Sequence, residues 1–166
     1  MFRVGLALTF ASLIGACGFQ PLYGERAGGA QVLQEFRRVE IAPIADRVGQ
    51  LVRNQLIDSV TPQGQPRSPV FVLTVTLERT KEGVAFQSDE QATRFNVSLE
   101  ATFALRDVAT GNVVAQGKTR SVAAFNIVRS EFANFTAESD ALRRAARQIA
   151  DSIALRIGVH FSTVQG

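Results

Sequence analysis

Histidine and cysteine are almost missing. The chain of 166 residues holds one of each, His160 and Cys17. A single cysteine excludes a disulfide framework, and one cysteine with one histidine cannot fill a structural zinc site. Histidine-based catalysis would rest wholly on His160. That residue follows Val159 at the end of the last apolar-periodic segment and reads as a terminal helix residue, favourable to the helix dipole when charged. No Gly-rich phosphate loop, metalloprotease helix or Gly-x-Ser-x-Gly elbow occurs in the sequence. A non-enzymatic protein with no metal and no cofactor is expected. Lysine is also scarce: only Lys81 and Lys118 stand among the 18 basic residues. With 15 acids the net charge is +3, too small an excess to demand nucleic acid. What the chain does have is 46% hydrophobic residues, twelve of its residues Phe, and only 20% charged residues. That balance argues against disorder, and the length gives one domain with a real core.

The first residues read as a targeting segment. Arg3 supplies a positive start, Val4 to Ile14 form an uncharged apolar run, and Gly15 and Ala16 are small. This is the shape of a secretory signal, and the run is short for a membrane span. Leu13-Ile14-Gly15-Ala16-Cys17 resembles the bacterial lipobox. The resemblance implies cleavage before Cys17, a diacylglycerol thioether on its sulfur and acylation of its new amine. Such an anchor is essentially permanent, since one acyl chain alone binds only marginally. Gly18 stands where an Asp would direct inner-membrane retention in many enteric-type bacteria, which favours the outer membrane. The expected organisation is a cleaved signal over 1–16, a lipidated tether over 17–31 and one domain over 32–166.

Within that domain Arg38 to Ile44 reads as a first strand ended by Pro43, and Asp46 can cap the helix after it. Val48, Leu51, Val52, Leu56 and Val60 then fall at helical spacing. Thr61 to Pro69 holds three Pro and one Gly and makes a loop. Val70 to Thr80 alternates as a second strand, and polar Lys81 to Gln91 reads as a loop with a turn at Gly83. Thr93 to Asp107 has strict period two. Phe95, Val97, Leu99, Ala101, Phe103 and Leu105 line one face, and Arg94, Asn96, Ser98, Glu100, Thr102 and Arg106 the other. Ala109-Thr110-Gly111-Asn112 is a hairpin turn into a fourth strand, about Val113 to Asn126. Small Ala115, Gly117, Thr119, Ser121 and Ala123 share one face of it. A five-residue loop sets Leu105 against Ala115, Phe103 against Gly117 and Glu100 against Arg120, while a three-residue loop shifts this by two. Both keep bulky opposite small. After an irregular connection from Phe125 to Phe135, Asn134 or Thr136 can cap a last helix striped by Leu142, Ala145, Ala146, Ile149, Ile153 and Ile157. The expected fold is an α/β (α+β) two-layer sandwich, a four-stranded sheet with two helices packed on one face, in the order β-α-β-β-β-α.

Cys17-Gly18-Phe19-Gln20-Pro21-Leu22-Tyr23-Gly24 resembles the lipidated end of the lipopolysaccharide-assembly lipoprotein family (LptE). Asn126-Ile127-Val128-Arg129-Ser130-Glu131-Phe132-Ala133 resembles the alphaproteobacterial branch of that family. Gln20 stands where some relatives carry a basic residue. The resemblance implies an outer-membrane lipoprotein that sits in the lumen of the β-barrel of the lipopolysaccharide translocon. There it plugs the barrel and helps it assemble, and some members bind lipopolysaccharide. An auxiliary lipoprotein of a phospholipid-transport system is the alternative, since such proteins share a similar element order.

Under this resemblance Phe19, Pro21, Leu22 and Tyr23 form an apolar, rigid segment beside the lipid, suited to docking on barrel or bilayer. Arg94, Arg106, Lys118 and Arg120 project from the outer face of strands three and four. They suit lipid A phosphates or acids of a barrel lumen, unless Glu100 neutralises Arg120 and the face is simply solvated. Arg129 and Glu131, in the connection before the last helix, make partner contacts or tie that loop to the fold.

Overall fold

The computed structural model describes residues 27–86 and 92–163. The elements in chain order are helix α1 (Ala27–Phe36), strand β1 (Val39–Ile41), helix α2 (Asp46–Val60), strands β2 (Phe71–Phe86), β3 (Ala92–Asp107) and β4 (Val113–Asn126), and helix α3 (Glu131–Thr163). The four strands form one sheet in the order β1-β2-β3-β4. β1 runs parallel to β2, and the other pairings are antiparallel. This is the expected α+β sandwich with one more helix, α1, set in front of it.

The alternation in β3 decides where the core lies. Val97, Leu99, Ala101, Phe103 and Leu105 are buried, while Arg94, Thr102 and Arg106 on the opposite face are exposed. β4 answers with small side chains. Its register sets Leu105 against Ala115, Phe103 against Gly117 and Glu100 against Arg120, the five-residue-loop alternative. A Cβ at Gly117 would lie 3.1 Å from the Phe103 ring and 3.2 Å from an Arg156 nitrogen, so the glycine makes room for both. α3 packs along β4 and β3: at 33 residues it is about 50 Å long. Its buried stripe alternates Ala145, Ala146, Ala150 and Ala154 with Ile149, Ile153 and Ile157. α2 buries Gly49, Val52, Leu56 and Val60. A Cβ at Gly49 would stand 3.0 Å from the Ile44 backbone, so the helix start passes the preceding chain where only glycine fits.

Four expectations are corrected. Ala27–Gln31, read as the end of the tether, are the first turns of α1. Gly28 and Gly29 cost that helix about 1 kcal/mol each, and Val32 and Phe36, one turn apart and both buried, offset it. The Phe36 ring meets Phe161 edge-on at 6.1 Å, and Phe161 also meets Phe71 at 5.3 Å. Lys81–Phe86, read as loop, continue β2, because the upper half of β3 needs a hydrogen-bonded neighbour. The register slips between Gly83 and Phe86 absorb the mismatch. Asp46 does not cap α2: Ala45 holds the cap position without a side-chain bond, and Asp46 takes φ 67°, a left-handed conformation that Asp tolerates better than most residues. Neither Asn134 nor Thr136 caps α3; the Ser130 hydroxyl accepts from the Ala133 amide instead.

The β3–β4 turn is built around Asp107. Its Oδ1 accepts from the Thr110 backbone amide at 2.8 Å and the Thr110 hydroxyl at 3.0 Å. These bonds favour the ionised form and hold the carboxyl below its ordinary 3.8. A depressed native pKa contributes stability that is present above the unfolded value and lost as pH falls through the native one. Asp107→Asn should therefore lower stability at neutral pH and flatten the loss below about pH 4, read from denaturant midpoints across an acid series.

Candidate functional site

All the buried strand residues but one point to the helical side, so the other sheet face is the exposed one. The even-numbered residues of β2, β3 and β4 lie on it. Thr74, Thr76, Glu78, Thr80, Thr102, Gln116, Lys118, Arg120 and Val122 are exposed among them. The exception is Ser98, only 8% exposed although it points outward. The Arg120 side chain covers it, and Arg120 Nε donates to Ser98 Oγ at 2.8 Å. Arg120 stands directly opposite Glu100, yet Glu100 pairs with its other neighbour, Lys118, at 3.7 Å. Both members of that pair are well exposed, and such pairs contribute roughly 0–1 kcal/mol. Arg120 is thus fixed in direction by a neutral hydroxyl, and its charge has no carboxylate within ion-pair distance among the described residues.

The cations expected on this face do not form one cluster. Arg106 and Arg94 lie at opposite ends of β3, about 40 Å apart at the rise of a strand. Arg106 donates to the Gly111 carbonyl at 2.6 Å and so supports the hairpin turn. Arg94 is exposed opposite Asn126. Lys118 and Arg120, on one strand, are the pair that the fold brings together in the middle of the face. Arg129 is exposed in the short link between β4 and α3. That link is tied down by Asn134, whose carboxamide accepts from the Val128 amide at 2.8 Å and donates to the Val128 carbonyl at 2.9 Å. Neither Arg129 nor Glu131 does this tying. Cys17, Phe19, Pro21, Leu22 and Tyr23 lie outside the described residues.

A groove on the helical side escaped the sequence. It lies between the start of α2, the upper half of β2 and the first turns of α3, with a volume of about 280 Å³. Val48, Leu51, Phe135 and Leu142 make it apolar, and Arg47, Arg79 and Arg143 stand at its rim. Beside it Lys81 pairs with Glu138 at 2.5 Å and lies over the Phe95 and Phe125 rings at 5.3 and 5.2 Å. Arg79 is legible as a strand residue of core-face parity, but Phe135 is hidden by reading Phe125 to Phe135 as an irregular connection when the helix begins at Glu131. His160, half-buried in the last turn of α3, packs its ring beside Phe161 at 5.7 Å. Among the described residues no group of three or more His, Cys, Asp or Glu side chains could hold a metal ion. No described helix is long and apolar enough to cross a membrane.

A family model described as lipopolysaccharide-assembly, LptE, matches residues 36–157. No curated protein sequence matches the chain. Among solved structures, a chain described as a lipoprotein from Caulobacter crescentus CB15 superposes with TM-score 0.67 at 24% identity, over 81% of this chain and 98% of that one. Rare lipoprotein B from Shewanella oneidensis gives TM-score 0.60 at 12% identity, over 77% and 98%. Lipoprotein B from Nitrosomonas europaea gives 0.59 at 15%, over 77% and 86%. At these identities the likeness is one of fold.

Proposed function

The chain belongs to the lipopolysaccharide-assembly lipoprotein family, LptE, and from that premise we propose that it is the lipoprotein subunit of an outer-membrane lipopolysaccharide translocon. In this reading the segment over 1–16 is removed, Cys17 carries the lipid, and the remainder up to α1 tethers the domain to the periplasmic face of the outer membrane. The domain plugs the partner β-barrel and helps it assemble. Phe19, Pro21, Leu22 and Tyr23 dock on barrel or bilayer beside the anchor. No step of the reading needs a catalytic group or a cofactor.

The observation that carries this reading is the asymmetry of the sheet. Helices cover one face, and the other is left open with Lys118 and Arg120 at its centre and Arg94 towards one end. A polar sheet face of that length suits the hydrated wall of a barrel lumen better than an apolar partner. Arg120, aimed by Ser98 and lacking a carboxylate, suits an acidic side chain of that wall or a lipopolysaccharide phosphate.

The test is detergent extraction of the membrane-anchored protein with a C-terminal tag, then mass spectrometry of the proteins that remain bound. A large outer-membrane barrel at near-equal amount is the expected result. An inner-membrane lipid transporter in its place would move the function to phospholipid handling. Arg94→Glu with Arg120→Glu should reduce recovery of the barrel about tenfold, the scale of one or two charge-assisted contacts. Folding should suffer by only about 1 kcal/mol from the lost Ser98 bond. Undiminished recovery with the folded double variant would remove the outer face from the interface.

A further inference from the structure

The two ends of the sheet are finished differently. At the β1 end the outward backbone groups of Ile41 are occupied. The Gln65 carboxamide accepts from the Ile41 amide at 2.9 Å and donates to the Ile41 carbonyl at 3.3 Å, much as a neighbouring strand would. Arg53 adds a bond to the same carbonyl at 3.2 Å. At the β4 end Arg144 donates to the Ala124 carbonyl at 3.0 Å. That bond shows that the even-numbered residues of β4 turn their amides and carbonyls away from β3. Below Ala124 the outward groups of Gln116, Lys118, Arg120 and Val122 have no partner among the described residues, and all four residues are exposed.

Cations flank the open edge on both sides and outnumber the acids there. Lys118 and Arg120 flank it on the outer face. Arg144 flanks it on the helix side, as does Arg156, whose guanidinium reaches the space beside Gly117. Asp140 is taken by Arg143 and Arg144, and Glu100 by Lys118. Arg120 and Arg156 have no carboxylate within ion-pair distance among the described residues. On the inner row of β4, Gly117 and half-buried Thr119 are small, and the space at Gly117 is taken by the Phe103 ring and the Arg156 guanidinium. The β2 edge beyond Leu73 is open too, but there Glu78 and Glu82 alternate with Arg79 and Lys81, so it prefers neither sign.

We propose that the β4 edge from Gln116 to Val122 is a docking site for an extended, acidic polypeptide segment, which adds to the sheet as a fifth strand. Main-chain hydrogen bonds hold the strand, and Arg120 and Arg156, the flanking cations without a carboxylate among the described residues, select its acidic side chains. A second copy of this chain is the wrong occupant, because edge-to-edge pairing of two β4 strands would set Lys118 and Arg120 against the same charges. The site is a property of this chain alone and goes beyond the barrel partnership proposed above.

The experiment uses the full-length protein purified in detergent and a fluorescent synthetic peptide alternating Glu with Val, at low ionic strength. The Glu peptide should bind, and a peptide with Lys in place of Glu should bind at least about tenfold more weakly. Hydrogen exchange should slow at the amides of Lys118, Arg120 and Val122 when the Glu peptide is added. Val122→Pro removes an outward amide without touching the β3 ladder, so it should fold and lose at least about tenfold in affinity. Absence of binding by the wild-type protein, or equal affinity in folded Val122→Pro, would overturn the proposal; the second result would mark simple charge attraction. If Val122→Pro does not fold, exchange in the wild-type protein decides. Slowing at those three amides supports strand addition, and unchanged exchange refutes it.

Discussion

Phe103→Ala should destabilise the domain by about 3–5 kcal/mol, enough to consume much of the stability of a single domain. Phe103 is 2% exposed in the middle of β3, and its ring lies over Gly117 of β4. Removing the ring leaves a cavity that its partner cannot fill, because the partner has no side chain. The reverse substitution should also destabilise. Gly117→Val alone brings a branched side chain to within 3.1 Å of the ring and 3.2 Å of Arg156, an overpacking that costs about 1–3 kcal/mol. The two defects are complementary in shape. In a Phe103→Ala background, Gly117→Val should recover part of the lost stability, giving a favourable coupling on the order of 1 kcal/mol in a double-mutant cycle by urea denaturation. Strict additivity would mean that the glycine is there for strand geometry and not for the ring.

Cys17→Ala should have the largest effect on where the protein is found. Alanine has no sulfur to take a thioether, so the acyl chains of a lipidated Cys17 would be lost together. Two or more chains hold a protein to a bilayer durably, and none holds it. The expected result is loss of the lipid mass in intact-protein mass spectrometry, with the polypeptide recovered in the soluble fraction. An unlipidated product that still sediments with membranes would show that the anchor lies elsewhere.

The parts of the fold legible in the sequence were those that depend on one element and its neighbour. β3 reveals its buried face through period two, and β4 reveals the matching face because small residues recur at Ala115, Gly117 and Thr119 where bulky ones recur opposite. The α3 stripe is legible for the same reason. The hidden parts depend on contacts far away in the chain. α1 carries two adjacent glycines and would not be stable alone; Phe36 holds it because Phe161, at the far end of the chain, lies against it. Lys81 and Glu82 look like loop residues, and they are strand because β3 requires a partner there. The candidate site divides in the same way. Parity placed Lys118 and Arg120 on the outer face, but not the choice of Glu100 for Lys118 or the hydroxyl of Ser98 for Arg120. Those depend on side-chain directions that spacing does not carry.

The parallel pairing of β1 with β2 has a consequence for how the domain assembles. β3 and β4 are joined by a short turn and β2 and β3 come one directly after the other, so that meander closes small loops. Val39 sits opposite Phe71, and bringing them together means first closing a loop of about thirty residues, an entropic cost that local pairing escapes. α1 reaches further still, to Phe161. The N-terminal part of the domain is therefore the last to be secured. β1 can close upon β2 once that strand is made, but until α3 is complete α1 has no Phe161 to meet, and Val32 and Phe36 stay open to other proteins.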